Sequence, residues 1–89
     1  MENINDPALL RVLEVVRRQA GDGFTLMSRS GLDPSEFTKV VRSLQSSQLV
    51  SVEGVLSAEK IGDAYVYVPP QAKNRSDFLI SRQQSLGSF

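Results

Sequence analysis

The chain has 89 residues, enough for one small domain, and 40% of them are hydrophobic, which suits a packed core rather than a disordered chain. Ten basic residues balance ten acidic ones, and histidine and cysteine are both absent. That composition excludes disulfides and thiolate metal sites, excludes any Ser-His or Cys-His nucleophile, and lacks the overall basicity of a dedicated nucleic-acid binder. No cofactor and no enzymatic activity are expected. There are no paired carboxylates at acid-base spacing, and no phosphate-cradling glycine loop. The N-terminus MENINDPALL lacks the charged and apolar regions of a signal peptide, and no apolar run approaches the roughly 18 residues of a membrane span. A cytoplasmic chain without membrane contact is the expectation.

The first predicted element is a helix. Asp6 is its expected cap and Pro7 suits its first position. Leu9, Val12, Leu13, Val16 and Ala20 recur at helical spacing, with Arg11, Glu14, Arg17 and Arg18 mostly on the other side. Gly21 and Gly23 are expected to end it. Phe24-Thr25 reads as a residue or two of strand, and Leu26 to Ser30 as a helical turn or two broken by Gly31.

The next helix carries the strongest signals. Asp33-Pro34-Ser35-Glu36 forms a capping-box pattern, and Phe37, Val40, Val41, Leu44 and Gln48 fall on one face. Leu49 to Val52 and Ala64 to Val68 are β-rich and predict an antiparallel hairpin, with VLSAEKIG in its tip and turn chemistry at Gly54 and Gly62-Asp63. Pro69-Pro70 closes the second strand. From Gln71 the sequence turns polar, with a net charge of +2 from Lys73, Arg75, Asp77 and Arg82. Ser76 is the expected cap of one short helix holding Phe78, Leu79 and Ile80.

Helix, short strand, short helix, long helix and hairpin, with Leu26, Gly31 and Leu32 around the turn and a capped helix from Pro34, resemble the winged helix-turn-helix superfamily over residues 7–68. The resemblance implies a mostly helical α+β domain: three helices plus a two- or three-stranded antiparallel wing. Gly31 is then the residue of the tight turn and Leu32 the plug that enters the core. Met27 stands four positions before that glycine, where the family commonly has alanine. Residues 1–70 are expected to form this domain, and residues 71–89 a polar tail that is poorly ordered or docks on a partner.

In this family the third helix, here residues 34–47, enters the major groove of double-stranded DNA. Its outward face holds Ser35, Lys39, Arg42 and Ser46, flanked by Thr38 and Ser43. Ser35, Thr38, Lys39 and Arg42 are therefore the candidate DNA-reading residues, with Arg29 before the turn and Lys60 in the wing as candidate phosphate contacts. The same residues also make an ordinary solvated helix face. Glu53, Glu59 and Asp63 in the wing oppose DNA, and from Gly23 to Pro70 four basic residues face five acidic ones. With about three to five phosphate contacts, one copy binds weakly, so a dimer is expected if DNA is the partner.

Two functions follow from the resemblance. One is DNA binding in transcription regulation. The other is a protein–protein interaction or oligomerisation module without DNA, through the first helix, the hairpin or the tail. The second draws on apolar residues beyond the minimal core: Leu10, Val15, Val55, Leu56, Ile61, Phe78, Leu79, Ile80, Leu86 and Phe89, with Tyr65 and Tyr67 sharing a strand face.

Overall fold

A computed structural model describes residues 7–86 of the chain, with side chains through Ser81. The expected cap Asp6, the tail residue Phe89, and the side chains of Arg82 and Leu86 lie outside the described residues. The elements run α1 (Pro7–Arg18), β1 (Gly21–Asp22), α2 (Gly23–Ser30), α3 (Pro34–Ser46), β2 (Ser51–Glu53), a 3₁₀ turn (Ile61–Asp63), β3 (Tyr65–Tyr67), a second 3₁₀ turn (Pro70–Ala72) and α4 (Lys73–Leu86). The strands form one antiparallel sheet in the order β1-β3-β2. Val66 at its centre lies opposite Val52 of β2 and Gly21 of β1, and Ser51 and Glu53 lie opposite Tyr67 and Tyr65.

Helix α1 is the centre of the packing, in contact with α2, α3 and α4. Leu9, Val12, Leu13 and Val16 bury the predicted stripe against Leu26, Phe37, Val41 and Leu44, and Leu49 and Val66 close the core from the sheet side. Leu10 lies off that stripe and is buried as well. A helix flanked by neighbours on two sides buries more than one stripe.

Three local expectations are corrected. The first strand is Gly21–Asp22 rather than Phe24-Thr25, and α2 starts at Gly23. The cause is Asp22: its carboxylate accepts from the Thr25 backbone N–H at 3.1 Å and from the Thr25 hydroxyl at 2.8 Å, capping a full two-turn helix. The Thr25 hydroxyl, followed by the Thr25 amide, holds the Asp22 carboxyl below its usual pKa. Phe24 is consequently the second residue of a helix and more than half exposed. Gly21 and Gly23 therefore do not form a left-handed cap for α1.

The second correction is at the end of α3. Gln48 does not extend the apolar face; it sits in the left-handed region at φ 63°, and the helix stops at Ser46. The Gln48 N–H donates to Gln45 O and the Leu49 N–H to Leu44 O, both at 3.0 Å. This is a Schellman closure, with Leu49 and Leu44 as its apolar pair.

The third concerns the tail segment. It carries a 14-residue helix rather than a short one capped at Ser76. Ser76 lies inside α4 and is buried, and its hydroxyl has no partner among the described residues. Arg17 reaches across to Asp77 with two hydrogen bonds, 2.8 and 3.1 Å, and Leu79 and Ile80 pack on the core.

The turn between α2 and α3 forms as expected. Gly31 adopts φ 73° and its N–H donates to Met27 O at 3.0 Å. Leu32 and Met27 are both half-buried against the core, so a methionine is accommodated where a small residue is common.

Candidate nucleic-acid interface

Helix α3 is held at its start by Asp33, whose carboxylate accepts from the Glu36 N–H at 2.7 Å, and Pro34 occupies the first turn, where no donor is needed. Phe37, Val40, Val41 and Leu44 are all buried. Their burial fixes the opposite ridge, and Ser35, Lys39, Arg42 and Ser46 are exposed there as the periodicity predicts.

The six candidate residues do not form one surface of equivalent side chains. Ser35 and Lys39 stand on the ridge, one turn apart. Thr38 does not stand with them: it is only 8% exposed, and its hydroxyl donates back to Pro34 O at 2.7 Å. A β-branched hydroxyl in a helix commonly bonds the carbonyl four residues earlier, and this local signal was available in the sequence. Arg42 is exposed, but its Nη2 donates to Leu56 O, 3.1 Å away in the wing. Arg29, at the end of α2, donates to Gln19 Oε1 at 3.0 Å. Lys60 is exposed in the wing, where its backbone N–H is fixed on Ser57 Oγ at 3.1 Å.

Other cations are committed elsewhere. Arg17 pairs with Asp77, Arg18 pairs with Glu14 at 3.0 Å, and Arg75 donates to Ser47 O at 3.0 Å. In the helix-turn-helix and wing, Lys39 and Lys60 are the cations whose ammonium groups carry no partner among the described residues. The exposed carboxylates nearest in sequence to Lys60 are Glu59 and Asp63, with Glu53 at the foot of the wing. The ridge Ser35, Lys39, Arg42 and Ser46 itself contains no carboxylate; Glu36 lies to its flank, beside Lys39, in a shallow depression of about 140 Å³ shared with Leu9 of α1.

The apolar residues weighed as either core cover or contacts divide between the two. Ile61 is buried in the core and Leu56 packs against it, so neither is a free tip residue. Val55, Phe24, Phe78 and Tyr65 are exposed, at 68, 58, 64 and 46%. Tyr65 and Tyr67 do share a face, with ring centroids 6.1 Å apart. Among the described residues no helix is long and apolar enough to cross a membrane.

No family model matches the sequence, and no curated protein matches it. Solved structures do match the fold. A transcriptional regulator of the MarR family from Silicibacter pomeroyi superposes with a TM-score of 0.69 at 20% identity, covering 88% of this chain and 51% of that one. One variant of Lactococcus lactis ZitR gives 0.68 at 12% identity, over 92% of this chain and 56% of the other. A second ZitR variant gives 0.59 at 15% identity, over 91% and 59%. The chain thus spans little more than half the length of these structures. At such low identity the likeness establishes architecture, and with the element order above it establishes that architecture as the winged helix-turn-helix fold.

Proposed function

We propose that the chain is a DNA-binding domain acting in transcription regulation, with α3 lying in the major groove and the wing against the adjoining backbone. The observation that carries this reading is the α3 ridge: Ser35, Lys39 and Ser46 are exposed on a capped helix, with no carboxylate among them. On this reading Ser35 and Lys39 face base edges and phosphates, and Lys60 and Arg29 neutralise backbone phosphates. Thr38 shapes the helix start through Pro34 rather than touching DNA. The protein named as a transcriptional regulator supports the regulatory role, through fold alone. Few free cations serve each copy, so two copies act together on one site, in a cytoplasmic protein with a non-enzymatic role. The test is amide chemical-shift mapping as a duplex is added at low salt. Shifts concentrated at Ser35, Lys39, Ser46 and Lys60 are expected; shifts confined to α1 and α4 would end this reading.

A second reading, a protein-interaction or oligomerisation module, is favoured by one observation. Phe24, Val55, Tyr65 and Phe78 leave large apolar surface in water, with Phe78 on α4 beside the Arg17–Asp77 pair. On that reading the chain assembles and duplex DNA leaves every amide unmoved.

A further inference from the structure

We propose that Arg42 is a positioning residue that ties the wing to the recognition helix rather than a reader of bases; its consequence for affinity rests on the DNA-binding reading above. The loop between β2 and β3 is long for a hairpin, and its conformation is fixed at few points. At its foot Gly54, at φ 91°, lies so close to the Asp63 carbonyl that a Cβ there would sit 2.5 Å from that oxygen. At its far side Ile61 is buried, and the neighbouring Ala64 O accepts from the Gly23 N–H at 2.8 Å, which ties the loop to α2. Neither anchor is a hydrogen bond to α3. The one hydrogen bond between α3 and the loop is Arg42 Nη2 to Leu56 O, at 3.1 Å, among the described residues.

Leu56 is suited to be the tethered residue. Its side chain is half-buried against the core, which brings its carbonyl within reach of the α3 arginine without fixing the residues that follow. The segment that follows, Ser57 to Lys60, is closed by the Ser57 hydroxyl accepting from the Lys60 N–H. A tether at Leu56 therefore fixes where Lys60 stands relative to Lys39. Those two are the cations of the helix-turn-helix and wing without a partner among the described residues, and their spacing sets which pair of phosphates they reach at once. An arginine suits this task because its fork donates to a carbonyl while its remaining N–H groups stay hydrated.

The test has two arms. In the free protein, Arg42→Ala should lower the backbone order parameters of residues 55–59 from a rigid value of about 0.85 to below about 0.6 while α1 and α3 keep theirs. Arg42→Lys, which keeps a donor, should restore much of that order. Unchanged order at residues 55–59 in Arg42→Ala overturns the proposal whether or not any DNA is bound. On duplex DNA, Arg42→Ala should weaken binding about fivefold, the loss of one hydrogen bond's worth of ordering. Adding Lys60→Ala to Arg42→Ala should then cost nothing further, because a released wing no longer presents Lys60. Losses that multiply in the double variant make Arg42 an independent DNA contact and contradict the proposal. A duplex that no variant binds removes the DNA-binding reading and leaves the order parameters to decide the tether.

Discussion

Single residues decide where the elements of this chain begin and stop. Asp22 and Asp33 each cap a helix with a carboxylate, and both act over three residues, so such caps are readable from sequence. Asp33 is legible because Pro34 and Glu36 accompany it. Asp22 is masked by its two glycine neighbours, which read as a helix end instead. Gln48 departs from its predicted face for a different reason. Its spacing continues the stripe of Phe37, Val41 and Leu44, and only the backbone turn at φ 63° removes it. A side chain in the left-handed region costs roughly 1 kcal/mol relative to glycine. Gln48→Gly should therefore raise stability by about 0.5–1 kcal/mol in urea unfolding, with the m-value unchanged. A loss of stability there would mean that the Gln48 side chain contributes more than its backbone costs.

At the scale of elements, the helices with strong periodicity were legible and those without it were not. α1 and α3 show their buried faces directly in the sequence. α4 does not: three of its four apolar residues, Phe78, Leu79 and Ile80, are consecutive, so they cannot all lie on one face. Its position depends on partners far away in sequence, with Arg17 on Asp77 and α1 beneath it. The two-residue β1 was likewise invisible, since Gly21 and Asp22 have no strand propensity and are held only by pairing with Val66 and Tyr65. The site shows the same division. The α3 ridge follows from periodicity, whereas the Arg42 bond to Leu56 depends on a loop conformation that no local pattern encodes. Removal of residues 73–89 should uncover the core surface on which Leu79 and Ile80 pack and lower stability by about 2 kcal/mol or more. Thermal unfolding measures this, and an unchanged midpoint would show that α4 adds nothing to the fold.

At the scale of the whole molecule, the balance of ten basic and ten acidic residues constrains the proposed DNA binding. Several arginines that a charge count would offer to phosphates are engaged within the protein, on Asp77, Glu14 and the Ser47 carbonyl. What remains is a small number of cations placed by rigid elements, in a fold that also leaves Phe24, Val55, Tyr65 and Phe78 exposed. On the proposed DNA-binding reading, modest affinity per copy and a reliance on two copies follow from that arithmetic. The most direct measurement is the fluorescence anisotropy of a labelled duplex, titrated at several salt concentrations with the unaltered chain and with Lys39→Ala. The account predicts binding at low salt that falls steeply as salt rises, and a log–log slope reduced by about 0.9 for each Lys39 phosphate contact removed. No anisotropy change at low salt, or an identical slope for the two proteins, would contradict it.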